Sequence, residues 1–390
     1  MNPGDEKIFL WPDIDEATVA VVNRMMHEGR ISFDLETFEN FEAALRPLFG
    51  VRFALCCNNG TAACFSAMKA LGISSGDTVI APAIAHWASV LPAVQCGARV
   101  ALADVQPDSC RADPESVERL IDETTRAIVV VHTLGDPVQL DAFRRLCDRH
   151  RLALIEDVSH AHGATWQGKP VGSFGDISFC SFQSNKLVCG GEGGAVLTNR
   201  ADLYYRAMEV GHPRRLMRAP DEWKTLAGVG RGFKFRPSAL LIAIAHGSLR
   251  RLTTQLAVRK RACEEFSDLL SGSPFLSMLD RRPEGSVHYC SGLLLRESSE
   301  PLRDRVIAGL RAKGLPADRL WMYMPGTPSL EEAAGGSRKW PAAEDVIRRL
   351  ICIRAFTRYD PDVVRRCAQD VLETVRQAHE SRGGHAGGDH

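Results

Sequence analysis

The sequence has no long apolar run and no excess of charge of either sign. No segment approaches the ~18 apolar residues of a membrane span, and the first residues, MNPGDEKIFLWPDIDE, are acidic where a secretory leader has an apolar core. The 48 basic and 48 acidic side chains cancel, so no overall field draws the chain to nucleic acid or to an anionic membrane. These absences predict a cytoplasmic protein with neither kind of partner.

The sequence also lacks an internal repeat and the cysteine spacing of a disulfide framework. Its twelve cysteines lie in apolar segments such as 54–57, 179–180 and 350–352, without a secretory context, which predicts reduced and buried thiols. The 390 residues, 45% of them hydrophobic, suffice for a large core and suggest two domains.

Short apolar runs alternate with helical patterns between residues 50 and 200, which is typical of parallel βαβ units. We therefore predict an α/β fold with a mostly parallel seven-stranded sheet and helices on both faces. The predicted strands are residues 51–56, 78–81, 99–102, 127–131, 153–156, 177–181 and 195–198, and the clearest predicted helices are 61–71, 113–121 and 140–150.

The C-terminal part has a different pattern. Apolar residues at helical spacing over 237–270 predict a long connecting helix after the glycine-rich segment 228–232. A predicted strand at 287–296 and predicted helices at 302–313 and 361–379 indicate a smaller α+β unit. The predicted division is a large α/β domain over residues 1–250, a small C-terminal α+β domain over 251–380 and a disordered tail over 381–390.

Polar residues directly after predicted strands are the candidates for chemistry, because open α/β sheets bind ligands beyond the carboxyl ends of their strands. Lys186 follows an apolar strand by a short polar turn and precedes the glycines of segment 190–194. Partial burial there would lower the pKa of its amine and free it as a nucleophile for a Schiff base. A lysine in a loop is usually a solvated surface charge, so this interpretation depends on its neighbours.

Asp157 ends the most hydrophobic predicted strand, where an unpaired carboxylate would be costly to bury. It therefore needs a cationic partner, and the protonated pyridine nitrogen of pyridoxal 5′-phosphate (PLP) is one. The alternative is that Asp157 caps a following helix. His160 lies three residues further on, where its ring can donate to an oxygen of the cofactor ring.

Asn59, Gly60 and Thr61 open a predicted helix directly after the first strand. The free N–H groups and the positive end of the helix dipole suit a phosphate, and Ser181 can add a hydroxyl donor. The alternative is simple N-capping of the helix, which is common.

Two further chemistries are disfavoured. His132 and His162 suggest a metal site, but no acidic or cysteine partner stands at ligand spacing, so we predict no metal. The segment 228–232 follows no strand and lacks the G-x-G-x-x-G spacing of a dinucleotide site.

In combination, these residues resemble the sugar and cyclitol aminotransferases of the DegT/DnrJ/EryC1/StrS family, which are fold type I PLP enzymes. The resemblance covers residues 11–375. Order and spacing match best in four motifs, IEDVSHAHGA at 155–164, GKPVGSFGD at 168–176, SFQSNK at 181–186 and GEGG at 191–194.

The resemblance implies a PLP transferase fold of type I and a role for each candidate. Lys186 would hold PLP in a Schiff base, Asp157 would pair with the pyridine nitrogen and His160 would contact the phenolic oxygen. The phosphate would be held by Gly60, Thr61 and Ser181, with Asn59 at the start of the same helix.

Three positions depart from the usual family pattern. His86 stands where an aromatic residue commonly stacks on the cofactor ring, with Trp87 as the alternative. Asn59 replaces a frequent serine, and the segment 352–357 replaces a more apolar sequence, which bears on substrate contacts.

Family members are homodimers that share their active sites. The segment 232–236 occupies the stretch that completes the site of the partner subunit, and in the common pattern an asparagine of this stretch reaches the phosphate. Lys234 stands at that position here, so the resemblance implies a charge pair with the phosphate bound by the partner.

The resemblance implies a PLP-dependent aminotransferase that moves an amino group from glutamate or glutamine to a keto-sugar, keto-cyclitol or similar cyclic ketone, in secondary-metabolite (antibiotic) biosynthesis. Related sugar dehydratases have a histidine in place of the Schiff-base lysine, so Lys186 disfavours that alternative. A non-catalytic regulatory or binding protein would not need Lys186, Asp157 and His160 together. The sequence does not identify the ketone.

Overall fold

The computed structural model describes residues 5–226, 232–279, 283–327 and 339–383. In chain order its strands are β1 (Phe53–Cys57), β2 (Thr78–Pro82), β3 (Arg99–Ala103), β4 (Thr125–Val131), β5 (Ala153–Asp157), β6 (Thr165–Trp166), β7 (Lys169–Pro170), β8 (Ile177–Ser181), β9 (Gly194–Thr198), β10 (Leu276–Met278), β11 (Cys290–Leu295), β12 (Ala317–Arg319) and β13 (Leu350–Arg354).

Helices surround these strands. In chain order they are α1 (Glu16–His27), α2 (Leu35–Phe49), α3 (Gly60–Ala70), α4 (Leu91–Gln95), α5 (Pro114–Glu118), α6 (Leu140–His150), α7 (Ala201–Gly211), α8 (Pro213–Leu216), α9 (Asp221–Lys224), α10 (Ala239–Leu270), α11 (Glu300–Ala312), α12 (Pro341–Arg349) and α13 (Pro361–Gly383).

The predicted seven-stranded, mostly parallel sheet is confirmed. Its order is β1-β9-β8-β5-β4-β2-β3, and β9 runs antiparallel to both of its neighbours. The remaining pairs are parallel. A parallel sheet covered on both faces buries every side chain of its inner strands, which is why β4 ends in the uninterrupted apolar run AIVVV.

Each face of this sheet has its own hydrophobic core. Neighbouring residues of β4 point to opposite faces, as the pleat requires. Val129 packs in the core that contains Ala67 of α3, whereas Ile128 packs in the core that contains Phe41 of α2 and Phe143 of α6. The sheet is therefore the middle layer of three.

A second, antiparallel sheet has the order β10-β11-β13-β12. Its core joins Leu293 and Ile351 to Val306 of α11 and Val371 of α13. The long helix α10 connects the two sheets, because its Phe266 lies in this core while its N-terminal half packs against the large sheet.

The predicted domain boundary after residue 250 falls inside α10, and the division stays a prediction. Helix α13 continues to Gly383, three residues into the segment predicted to be disordered. Residues 384–390 lie outside the described ranges, as does the glycine-rich segment apart from Gly232.

Several elements of the fold were not predicted from the sequence. Helix α2 has its buried residues Phe38, Phe41, Leu45 and Phe49 at helical spacing, so its signal was present. Strands β10 and β12 are three residues long, too short to show a period. The predicted helix 113–121 is wrong at its C-terminal end, because α5 stops at Glu118.

Within the described ranges, no helix is both long enough and apolar enough to cross a membrane. All twelve cysteines lie within the described ranges and form no disulfide with one another, and ten of them are buried.

Candidate active site

The polar residues predicted to carry chemistry meet at one edge of the large sheet. Strands β1, β2, β4, β5 and β8 run in the same direction, so their carboxyl ends share this edge. This edge is where open α/β sheets bind ligands. The segments that end or leave these strands carry Asn59, His86, His132, Asp157 and Ser181, and Lys186 follows shortly after β8.

Lys186 lies in a tight turn that is fixed through its backbone. Its N–H donates to the carbonyl of Gln183 at 2.9 Å, and its carbonyl accepts the indole N–H of Trp11 at 3.0 Å. Its Nζ lies 5.6 Å from the ring centre of Tyr289. Only 9% of the residue is exposed, and within the described ranges Nζ forms no hydrogen bond or ion pair. In the described part of the chain, Lys186 therefore presents a buried amine without a direct hydrogen-bonding or ion-pairing partner.

Burial lowers the pKa of the Lys186 amine from its usual 10.5 to about 8, and the carboxylate of Asp157 opposes this shift. An amine with that pKa is unprotonated to a useful extent near neutral pH, whereas a solvated lysine is almost wholly protonated. The unprotonated amine is the nucleophile that a Schiff base requires. The geometry therefore supports the predicted role of Lys186.

Asp157 is the last residue of β5 and is 5% exposed. Its Oδ1 accepts the backbone N–H of Ser159 at 2.9 Å, and its Oδ2 accepts the hydroxyl of Ser89 at 2.6 Å. No helix begins at this point, which disfavours the helix-capping alternative. The carboxylate forms no ion pair within the described ranges, so it is available for a cationic nitrogen.

His160 stacks on Tyr289, with ring centres 4.0 Å apart and planes 14° from parallel. Its Nδ1 accepts the N–H of Leu134 at 3.4 Å, so the proton of the neutral ring is on Nε2. Burial lowers the pKa of His160 well below its ordinary value, and the positive charge of Lys186 adds to this effect. His160 is thus a neutral donor through Nε2, as its predicted role requires.

The start of α3 forms a cradle beside Ser181. The Oδ1 atom of Asn59 accepts the N–H of Ala62 at 2.8 Å, so Asn59 is the N-cap. Gly60 and Thr61, in the first turn, keep N–H groups that no helical carbonyl reaches. A Cβ at Gly60 would lie 2.8 Å from the Cβ of Ser181, so only glycine lets the helix start this close. Asn59 caps the N–H of Ala62 and leaves the N–H groups of Gly60 and Thr61 for an anion, so the helix start can serve both purposes.

His86 is exposed, and its Nδ1 accepts the N–H of Ala88 at 3.2 Å. Desolvation lowers the pKa of His86, and the positive charge of Lys186 lowers this pKa further. The negative charge of Asp157 raises it. His86 therefore lies within electrostatic range of both candidates. The ring of Trp87 is 4.8 Å from that of His86 and is 45% exposed, and which ring would stack on a cofactor stays a prediction.

Lys234 lies on a segment that runs past the start of α3, where the carbonyl of Phe235 accepts the N–H of Asn58 at 2.6 Å. Its side chain is exposed and lines a cavity of about 250 Å³ together with Arg214 and Arg236. The cationic side chains are available to another molecule. Contact with a phosphate held by a partner subunit stays a prediction.

Glu156, next to Asp157 in β5, is wholly buried. Its Oε2 accepts from Nε2 of His132 at 3.2 Å and from the N–H of Gly172 at 2.8 Å, and its Oε1 accepts the N–H of Gly175 at 2.6 Å. The other ring nitrogen of His132 accepts a backbone N–H. These bonds anchor the loop after β7 and hold the end of β5 in place.

The histidines that suggested a metal have other partners. His132 bonds Glu156, and Nδ1 of His162 accepts the N–H of Val188 at 3.0 Å. In the part of the chain that the structure describes, no three His, Cys, Asp or Glu side chains are grouped to hold a metal ion.

Three residues of this site were not predicted from the sequence. Ser89 lies in a short turn without a motif, and Tyr289 arrives from the segment before β11 of the second sheet. Neither has a local signal. Glu156 had one, because a carboxylate inside an apolar strand must find donors.

The sequence matches the DegT/DnrJ/EryC1/StrS aminotransferase family over residues 12–372. GDP-perosamine synthase of Vibrio cholerae is 30% identical over 321 residues, which are 80% of this chain and 86% of that protein. L-Glutamine:2-deoxy-scyllo-inosose aminotransferase of Streptoalloteichus tenebrarius is 35% identical over 279 residues, which are 67% of this chain and 64% of that protein.

Solved structures agree with these matches. The crystal structure of 3-amino-5-hydroxybenzoic acid synthase superimposes with a TM-score of 0.85 at 26% identity, covering 94% of this chain and 98% of that one. The aminotransferase from Psychrobacter cryohalolentis gives a TM-score of 0.86 at 23% identity, covering 95% of this chain and 99% of that one, and shows the same fold.

Proposed function

This chain belongs to the DegT/DnrJ/EryC1/StrS aminotransferase family, and from that membership we propose that it moves the amino group of glutamate or glutamine to a keto-sugar, keto-cyclitol or similar cyclic ketone. It is an enzyme of the PLP-dependent aminotransferase type. The observation that carries the proposal is the buried Lys186 amine beside the Asp157 carboxylate. We propose antibiotic or other secondary metabolism as its setting, because several related proteins act on inososes.

The residues at the sheet edge fit PLP. The cofactor has an aldehyde, a basic ring nitrogen, a phenolic oxygen and a phosphate. The site offers an unpaired buried amine on Lys186, a carboxylate on Asp157 and a neutral donor on His160. The close approach of Gly60 to Ser181 brings a hydroxyl donor next to the N–H groups at the start of α3, and this set of donors suits a phosphate.

When bound, PLP supplies an electron sink that stabilises negative charge on the substrate carbon next to the nitrogen. Asp157 keeps a proton on the facing ring nitrogen, because an ionised carboxylate favours a cation beside it. His160 Nε2 donates to an oxygen acceptor and holds its orientation. The amino donor displaces the amine of Lys186. Nζ of Lys186 can then take a proton from the substrate carbon next to the nitrogen and deliver it to the carbon on the other side of that nitrogen.

The two halves of the reaction use the same groups in opposite order. The amino donor leaves as an oxo-acid before the ketone enters, so we expect ping-pong kinetics. Lys186 must act as base in one proton transfer and as acid in the next. A pKa of about 8 suits both tasks near neutral pH.

The proposal is tested by mixing the cofactor-loaded protein with glutamate or glutamine in the absence of a ketone. The visible absorbance of the lysine-bound cofactor should fall and the near-ultraviolet absorbance of the pyridoxamine form should rise, with release of one oxo-acid per site. A protein that binds without catalysis would show no conversion with either donor, and that result would exclude an aminotransferase.

We further propose that the enzyme is a cytoplasmic homodimer with shared sites and that Lys234 acts in the site of its partner. Mixing Lys186→Ala subunits with Lys234→Ala subunits tests this. A hybrid dimer would contain one intact site, so random exchange should restore up to about a quarter of the wild-type sites. Each variant alone should remain far below that level.

The complementation has a built-in control. If Lys234 served its own subunit, every site in the hybrid would lack one of the two lysines and mixing would restore nothing. A mixture of Lys186→Ala with Lys169→Ala, which alters an exposed lysine, gives the activity expected from dilution and subunit exchange alone.

A further inference from the structure

Ser89 is bonded to the carboxylate at the centre of the site, although it lies in none of the sequence motifs. It closes the short turn Trp87–Ser89 after β2. Its hydroxyl donates to Oδ2 of Asp157 at 2.6 Å. Ser89 is 2% exposed and Asp157 5% exposed, so this bond is shielded from water.

The bond completes a set of donors around the carboxylate. The N–H of Ser159 serves Oδ1 and the hydroxyl of Ser89 serves Oδ2. The backbone N–H of Ser159 is present whatever the side chain. The hydroxyl is the donor that depends on the identity of residue 89.

The turn that carries Ser89 is held from several directions. The N–H of Ser89 donates to the carbonyl of His86 at 2.9 Å, and the thiol of Cys64 donates to the carbonyl of Ser89 at 3.4 Å. The side chain of His86 caps the same turn through Ala88. Because His86 and Ser89 share one turn, the bond to Asp157 also fixes the position of His86 relative to the end of β5.

We propose that Ser89 is a positioning residue, which holds the carboxylate of Asp157 in the orientation that faces the ring nitrogen of PLP. This inference rests on the proposed role of Asp157. The turn after β2 would then influence the charge of the cofactor ring through Ser89, in addition to the stacking role predicted for His86.

The test compares Ser89→Ala with Ser66→Ala. Ser66 is a matched control, because its side chain is also buried and its Oγ has no hydrogen-bond partner in the structure. Ser89→Cys keeps the side-chain volume but replaces a strong donor with a weak one, and it gives the same comparison if alanine disturbs folding. Ser89→Thr restores the hydroxyl.

Two readouts do not depend on turnover. The first is the affinity of the apoprotein for PLP, measured by absorbance titration. The second is the pH at which the visible band of the lysine-bound cofactor changes. A ring nitrogen with less positive charge withdraws fewer electrons from the linkage to Lys186, so that linkage keeps its proton to higher pH.

We expect Ser89→Ala to weaken PLP binding about tenfold, as for loss of a hydrogen bond to a charged group, and to move the pH midpoint of the visible band upward. Ser89→Cys should fall between wild type and alanine, and Ser89→Thr should approach wild type. Ser66→Ala should change neither readout.

Two results would overturn the inference. If Ser89→Ala and Ser89→Cys keep the wild-type affinity and midpoint, Asp157 does not depend on the hydroxyl. If Ser66→Ala causes the same losses, the effect is one of packing. Both results leave the proposed function intact, because wild type would still convert with an amino donor. If wild type forms no lysine-bound cofactor, the proposed function fails and the inference fails with it.

Discussion

Lys186→Ala is expected to abolish the covalent attachment of PLP and to lower transamination by at least about 10⁴-fold, since one side chain supplies both the nucleophile and the proton carrier. The loss should appear in kcat, because both proton transfers depend on this amine. Borohydride treatment of wild type should fix the cofactor on the peptide that contains Lys186. The same treatment of the variant should fix none.

The matched control is Lys169→Ala, which removes an exposed lysine of β7 and should leave attachment and rate unchanged. Persistence of a reducible visible band in Lys186→Ala would contradict the assignment. Mass spectrometry of the reduced, digested protein would then locate the lysine that acts instead.

The lowered pKa of Lys186 also sets the pH dependence of cofactor attachment. Below about pH 8 the amine is mainly protonated and cannot attack, and above it the neutral form dominates. The rate of attachment to the apoprotein should therefore rise with pH and level off above about pH 8, well below the 10.5 of an ordinary lysine. A stopped-flow series across this range measures the midpoint directly.

Asp157→Asn should retain the lysine-bound cofactor but lower the rate of transamination by about 10²- to 10³-fold, the usual cost of losing one charged group that acts in the transition state. An amide cannot hold a proton on the facing ring nitrogen, so the ring accepts less of the negative charge. The loss should appear in single-turnover kinetics with glutamate or glutamine, with little change in donor affinity.

A cofactor analogue distinguishes charge from structure in this variant. PLP methylated on its ring nitrogen carries a fixed positive charge that does not need a carboxylate. It should restore part of the rate to Asp157→Asn if the role of Asp157 is electrostatic. Failure of the analogue to improve on PLP would indicate a structural role. Asp141→Asn, which breaks a surface pair with Arg145, should leave the rate unchanged.

The large sheet was predictable because its strands are buried on both faces and therefore read as apolar runs of a definite length. The residues at their carboxyl ends could be inferred from topology alone. Lys186 and Asp157 come after two neighbouring strands, β8 and β5, so their proximity follows from strand order. The family motifs then gave each residue a role.

Ser89 and Tyr289 could not be predicted in this way. The bond from Ser89 to Asp157 depends on how a short turn packs across the sheet, and the sequence HWAS contains no pattern that fixes it. Tyr289 reaches His160 because the second sheet docks against the first. Its N–H donates to the carbonyl of Leu134 at 3.2 Å, a contact between segments far apart in the chain.

The docking of Tyr289 has a consequence for how the enzyme can diversify. The residues assigned to bond making and proton transfer all come from the large sheet. The ring of Tyr289, which lines the same site, comes from the small sheet. A replacement of Tyr289 therefore changes the wall of the site and the packing of His160 together, because the two rings are stacked. Evolution, or a directed library, can vary the accepted substrate through the small sheet, while the large sheet keeps Lys186 and Asp157.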